Sequence, residues 1–210
     1  LRRALGARPQ RCFVRGPLGG KVSASWGVRG QTAYLDLASA SGLALISPAR
    51  RNPWKTSSCG TGQLLMAAVE GGASELVMGV GGSATVDGGL GAMKALGIRF
   101  LDQRGREVSD GGGGLSQLRR IDLEDCLWRQ KSIRLTILAD VINPLLGPNG
   151  AAPVFGPQKG ATPAMVRELS RGFKRLDAVI RQQFGKSVGH LISGGAAGGI
   201  VSGFIGILGQ

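Results

Sequence analysis

Residues Glu75 to Gly97, ELVMGVGGSATVDGGLGAMKALG, constrain the fold of this chain more than any other stretch. Leu76, Val77, Met78 and Val80 read as a short buried strand, and Leu90, Met93, Ala95 and Leu96 as the apolar face of a helix. Seven glycines run from Gly79 to Gly97. Strand, glycine turn, helix is the arrangement in which backbone N–H groups point outward at a helix N-terminus and hold an anion. One ionisable side chain, Asp87, sits in the turn itself. A bare carboxylate there repels an anion unless a metal or a transferable proton intervenes. The stretch therefore points to phosphate chemistry with a metal or a base.

The glycines alone leave alternatives open. Gly79-x-Gly81-x-x-Ala84 satisfies the relaxed dinucleotide-binding fingerprint, with Asp102 roughly where that fold places its ribose-binding acid. Against it, Asp102 opens a tight, hairpin-like turn (LDQRGREV), and Gly88 and Gly89 follow where a Rossmann helix would already be running. A turn shaped only for close packing is the remaining reading.

At 210 residues the chain has room for one large domain or two small ones, and 42% apolar residues supply a sizeable core. The 37 glycines fall in separate clusters without a repeat period. Cys12, Cys59 and Cys126 are odd in number, widely spaced and lack a metal-ligand pattern, which fits a reducing cytoplasm. Net charge is +13, a balance that serves either nucleic-acid binding or anionic substrates. The basic residues are scattered with almost no interleaved aromatics, so a nucleic-acid-binding module is the weaker reading. The opening LRRALGARPQR superficially resembles a transit peptide, but it begins with Leu and reads as the middle of a protein. Leu191 to Gln210 is uncharged over membrane-span length. Seven glycines leave it too little apolar surface to span, and it reads as a glycine loop leading into a buried helix.

Taken in order, CFVRG, KVSASWGV and TAYLDLA read as strands separated by turns at Gly16–Gly20 and Arg29-Gly30. Ser57 or Ser58 caps a helix that runs through Gln63 to Glu70 and stops at Gly71-Gly72. Gly60-Thr61-Gly62 at its entrance is either a second anion-binding turn or an ordinary helix start. RFLD and REV form a hairpin, followed by a four-glycine loop, Gly111–Gly114. Ile133, Leu135, Ile137 and Leu138 form a strand ending at Asp140, and strand ends are where open α/β sheets place ligands. Asp140 and Asn143 are oxygen donors of the kind magnesium prefers. Lys159 stands between Pro157-Gln158 and Gly160, ahead of a helix from Pro163 to about Phe184, where a lysine can lie against phosphate oxygens as a point charge. Arg167, Arg171, Lys174, Arg175 and Arg181 read as that helix's solvated face. The lone His190 carries little sign of a chemical role.

With these segments in place the chain resembles the bacterial glycerate kinase family that makes 2-phosphoglycerate. The resemblance rests on GPLGGKVSASWG (16–27), ASGL (40–43), RNP with TSSCGTGQLL (51–65), GVGGSATVDGGLGAMKALG (79–97), ADVINPLLGPNGAAPVFGPQKGA (139–161) and GGAAGG (194–199). These motifs span nearly the whole chain in the family's order.

The resemblance implies an ATP- and magnesium-dependent kinase for D-glycerate with small-molecule partners, and it leaves the oligomeric state open. It implies an α/β fold in which this chain is the inserted second domain of a two-domain protein, a mixed sheet with helices and glycine-rich loops. The Rossmann-like first domain, built from both chain ends, is largely missing, with the APDSFK-type opening and the TGEG- and QS-GK-type segments absent. A truncated kinase and a catalytically inactive remnant both fit that picture. By resemblance and by phosphoryl-transfer chemistry, Lys159 carries phosphate charge, and Asp87 either accepts the hydroxyl proton or holds magnesium. Asp140 and Asn143 take the other of those roles. Gly81, Gly82 and Ser83 hold anionic oxygens through their N–H groups, joined by Thr61 and Gln158, and Arg51 meets the glycerate carboxylate. Four positions depart from the family's pattern: Val86 for Asn, Ala139 for Cys, Gln63 for Glu and Cys59 for Arg or Tyr. Val86 is the departure nearest the expected site, because it removes a polar group beside Asp87.

Overall fold

A computed structural model of the chain describes residues 6–128 and 133–209. The first five residues of the transit-peptide-like opening lie outside the described residues. The rest of it runs into strand β1 (Arg8–Arg15), which β2 (Lys21–Arg29) and β3 (Thr32–Asp36) follow as expected. Next come the short helix α1 (Ala38–Ser41), helix α2 (Cys59–Glu70) and β4 (Glu75–Gly79). Helix α3 (Leu90–Ala95) leads to β5 (Arg99–Leu101), β6 (Arg120–Asp122) and β7 (Arg134–Leu138). Helices α4 (Ala151–Phe155), α5 (Pro163–Phe184) and α6 (Ala196–Gly203) complete the order.

The five long-range strands form one mixed sheet in the order β1-β2-β3-β4-β7. The pairs β1–β2 and β2–β3 are antiparallel, while β3–β4 and β4–β7 are parallel. Period-2 alternation sets the register. Ala33 and Leu35 are buried between Thr32, Tyr34 and Asp36, and they lie opposite Leu76 and Met78 of β4. Helix α2 covers that apolar face of β1, β2 and β3 with Leu64, Leu65, Ala68 and Val69. The chain is thus α/β with a mixed sheet, as expected.

A second layer forms around α5. Its N-cap Thr162 accepts from Met165 N at 3.2 Å, Pro163 opens the first turn, and Gly185 (φ 70°) closes the last. Leu169, Phe173, Leu176 and Ile180 are buried at helical spacing, and Arg167, Arg171, Lys174 and Arg181 are exposed. The expected RFLD–REV hairpin forms through the Leu101–Glu107 bridge, with Asp102 N donating to Arg106 O at 2.8 Å and Val108 N to Phe100 O at 2.9 Å. β5 pairs in addition with β6, Arg99 opposite Asp122, which the sequence reading did not anticipate. Phe100 and Leu101 are fully buried. The four-glycine segment is not an open loop. It enters a tight turn, Gly112–Gln117, pressed under α5, where a Cβ on Gly112 would stand 2.4 Å from Leu169.

The uncharged tail forms a loop and then buried helix, in line with expectation, but enters α6 through three left-handed residues. Ala197, Gly198 and Gly199 have φ of 50°, 69° and 90°. A Cβ at Gly198 would lie 2.0 Å from Thr85 O, and the Gly198 carbonyl accepts from Gly88 N at 2.9 Å. Among the described residues no helix is long and apolar enough to cross a membrane.

Candidate functional site

The parallel strands β3, β4 and β7 end on one edge of the sheet, and the chain leaving β4 crosses that edge as the glycine loop. Its course is fixed from both sides: Leu37 N donates to Gly79 O, Val80 N to Leu138 O, Leu43 N to Gly82 O and Ala84 N to Ser41 O. Those bonds leave the amides of Gly81, Gly82 and Ser83 without an acceptor among the described residues. Gly81 and Gly82 are exposed. They border a cleft of about 340 Å³ whose walls also include Leu43, Val80, Ser83, Asp140, Val141, Phe155, Gln158, Lys159, Ala196 and Ala197. A crevice at the carboxyl ends of parallel strands is the usual ligand position in open α/β sheets.

Lys159 lies in a tight turn, Pro157–Lys159, just after α4. Its side chain is only 3% exposed, and its Nζ donates to Ser83 Oγ at 2.7 Å and Thr85 O at 2.8 Å. Burial pulls this ammonium down to about 7, against the charge of Asp87, which pulls it up. The cleft therefore pairs a buried lysine and three unpaired amides with one exposed carboxylate, Asp140. That set offers donors to an anion and one carboxylate to a cation.

Six of the ten expected site residues line this cleft: Gly81, Gly82, Ser83, Asp140, Gln158 and Lys159. The other four do not, each for a visible reason. Asp87 is wholly buried, and both its oxygens are taken. Oδ2 accepts from Ser58 N (2.8 Å), Ser58 Oγ (2.8 Å) and Gly91 N (3.3 Å), and Oδ1 from Gly89 N (3.2 Å). Burial pushes its carboxyl above the usual range, while these hydrogen bonds pull it back. Asp87 thus satisfies the first amides of α2 and α3 together, and it presents no oxygen to the cleft. Ser58 is indeed the N-cap residue of α2, but its hydroxyl serves Asp87 instead of its own helix.

Thr61 is equally enclosed. Its Oγ1 bonds Ser41 Oγ at 2.8 Å, and a Cβ on Gly60 or Gly62 would meet the carbonyls of Arg15 or Ala92. That close approach favours the ordinary helix start for Gly60-Thr61-Gly62. Arg51 is half-buried beneath the lysine turn, donating to Gln158 O at 3.3 Å, with its Nε buried and unpaired. Asn143 does not line the cleft: its side-chain Nδ2 donates to Asn149 O at 2.9 Å and its backbone carbonyl accepts from Gly195 N at 2.9 Å, bracing the loop after β7. Val86 belongs to the hydrophobic core and does not line the cleft. Asp102, the alternative ribose acid, is held by Arg104 N, Arg106 N and the Arg106 guanidinium.

The lining residues that sequence reasoning missed are Leu43, Val80, Val141 and Phe155, together with Ala196 and Ala197 from the GGAAGG motif. The signal available was that motif's backbone: glycines on both sides of two alanines mark a chain forced into close approach.

The whole chain, residues 1–210, matches the Glycerate kinase family. It is 44% identical over 199 residues to a protein named glycerate 2-kinase from Escherichia coli K12, covering 94% of this chain and 52% of that relative. To a glycerate kinase from Bacillus subtilis 168 it is 45% identical over 189 residues, 89% of this chain and 50% of the other. A crystal structure described as a candidate glycerate kinase 2 from Salmonella typhimurium LT2 superposes with a TM-score of 0.94 at 41% identity, over 99% of this chain and 56% of that one. The chain spans about half the length of the relatives it matches. It belongs to the glycerate kinase family.

Proposed function

We propose that the cleft is one wall of the phosphoryl-transfer site of a kinase that uses ATP to phosphorylate D-glycerate to 2-phosphoglycerate. One observation supports the reading: a buried lysine, three unpaired amides and an exposed carboxylate line one crevice at the carboxyl ends of two parallel strands. Phosphoryl transfer asks little covalent chemistry of a protein, and mostly positioning and charge neutralisation. Lys159 supplies positive charge to phosphate oxygens, and the amides of Gly81, Gly82 and Ser83 fix their orientation. Gln158 offers an amide at the rim, and Arg51 positions the lysine turn from below.

Magnesium fits the residues present. It usually takes one or two carboxylates and completes its shell with phosphate oxygens and water. No cluster of three acidic, His or Cys side chains exists among the described residues, so Asp140 alone would hold it. When bound there it would neutralise charge on the phosphates. Asn143 would brace the loop that presents Asp140. Asp87 holds the glycine loop's shape, and neither the proton-accepting nor the metal role falls to it. We place the activity in the cytoplasm, a reading supported by the three free thiols, Cys12, Cys59 and Cys126. The inserted-second-domain reading is part of the proposal. Turnover needs the reacting atoms in line within about 3–3.5 Å, and we assign the opposite wall to segments that the longer relatives carry beyond the match.

The test is a chimera in which this chain replaces the matching region of the Escherichia coli relative, assayed for ADP release with D-glycerate, ATP and magnesium. The chimera should turn over glycerate, and Lys159→Met should lower that turnover roughly 100-fold or more. Asp140→Asn should raise the magnesium concentration needed for half-maximal rate by about tenfold. Unaltered rates for both variants would overturn the assignment. A folded chimera without turnover would favour the inactive-remnant reading.

A further inference from the structure

The Lys159 side chain has no carboxylate partner among the described residues. A protonated lysine has three donors and no acceptor, whereas a neutral amine has two donors and a lone pair. Thr85 O can only accept, so it takes one N–H in either state. Ser83 Oγ is ambivalent: it accepts from an ammonium or donates its O–H to a neutral amine. The pair therefore satisfies both forms equally well in hydrogen bonds. What the protein does not supply is a carboxylate in contact with the Nζ.

The charged groups around it make this plain. From the loop ahead of α3, Asp87 faces the lysine, but its oxygens are consumed by Ser58, Gly89 and Gly91. From beneath the lysine turn, Arg51 adds a charge of the same sign. From the loop after β7, Asp140 stands exposed to water, where its field is screened. Asp87 therefore acts on the lysine only at a distance, and an ammonium buried without an ion-paired partner is costly.

Resting on the anion-cleft reading above, we infer that Lys159 takes up a proton as an anion enters the cleft, with Ser83 as the hinge that reverses its hydrogen bond between the two states. The empty site holds the lysine half-charged near pH 7, and the bound anion completes its charging. The sign of the pH effect follows from linkage. Below about pH 6 the lysine is already charged and binding takes up nothing; above pH 7 each binding event draws a proton from solvent, and affinity falls by up to tenfold per pH unit.

Sulfate is the probe, because it does not titrate near neutrality. Calorimetric titration of the chain with sulfate, in buffers of different ionisation enthalpy, yields the number of protons taken up from the slope of the observed heat. The expected uptake is near zero at pH 5.5, about one half at pH 7 and close to one at pH 8.5. Lys159→Arg stays charged throughout, so it should bind sulfate with no uptake, and subtracting it removes any contribution from exposed His190. Should that variant not fold, the lysine Nζ signal of the unaltered chain, followed by NMR with and without sulfate, gives the same answer. Sulfate binding with uptake below about a tenth of a proton at pH 8.5 would overturn the inference and leave the anion cleft standing. Absence of sulfate binding would overturn the cleft reading and the inference together.

Discussion

Replacing Lys159 by methionine should stabilise the ligand-free chain at low pH and progressively less as pH rises. The lysine is held at about 7 in the fold against an ordinary value of 10.5. At about 1.36 kcal/mol per unit, that displacement corresponds to roughly 4–5 kcal/mol of destabilisation, an order-of-magnitude figure. The unfolded chain binds the proton more tightly than the folded one, so the penalty is fully present below pH 7 and fades towards pH 10.5. Met fills similar space and carries no charge, but leaves Ser83 Oγ and Thr85 O without their partner at a constant cost of about 1–2 kcal/mol. The signature is therefore the slope: the stability difference between Lys159→Met and the unaltered chain should shrink by about 2–3 kcal/mol from pH 6 to pH 9. Urea unfolding of both proteins at pH 6, 7.5 and 9, in buffers free of sulfate and phosphate, measures it. Cys12 and Cys59, whose thiols burial pushes up, cancel in the comparison because both proteins carry them. A difference that stays constant within about 0.5 kcal/mol across that range would refute the reasoning.

Two further outcomes follow from the enclosed residues. Asp87→Asn turns an amide donor towards groups that are themselves donors, so thermal unfolding should shift down by roughly 5–10 °C, about 2–3 kcal/mol for a chain of this size; an unchanged or higher melting temperature would remove its structural role. Thr61→Val should cost about 1 kcal/mol for the lost bond to Ser41 yet leave sulfate affinity unaltered, and a tenfold weaker affinity would restore the second anion turn.

Strands β1 to β4 and helices α2 and α5 were legible because each buries one face at its own period and each is bounded by turn residues. Leu169, Phe173, Leu176 and Ile180 announce α5 without any knowledge of their neighbours. The cleft was half legible. Lys159 and Asp140 follow from local position, one ahead of a helix and one past a strand. The enclosure of Asp87 was not legible. Its polar surroundings come chiefly from Ser58, 29 residues earlier, and no pattern within the glycine turn shows that an amide and a hydroxyl arrive to meet it. The enclosure of Thr61 was hidden in the same way, since what closes over its neighbouring glycines are backbone carbonyls that leave no trace in residue type. The pairing of β5 with β6 was hidden because each strand has three residues and the tight turn at Asp102 gives a stronger local signal than either.

The position of Asp87 also sets how this region opens. Because one carboxylate receives amides from the starts of both α2 and α3, neither helix can fray from its N-terminus independently of the other. Ser58, Gly89 and Gly91 should then exchange their amide hydrogens with one common protection, as a single cooperative unit. Gly88, tied to the Gly198 carbonyl, would join that unit and draw the α6 wall of the cleft into it. Rigidity at the floor of the cleft and mobility at its exposed Gly81–Gly82 rim would then be separated by only a few residues of one loop.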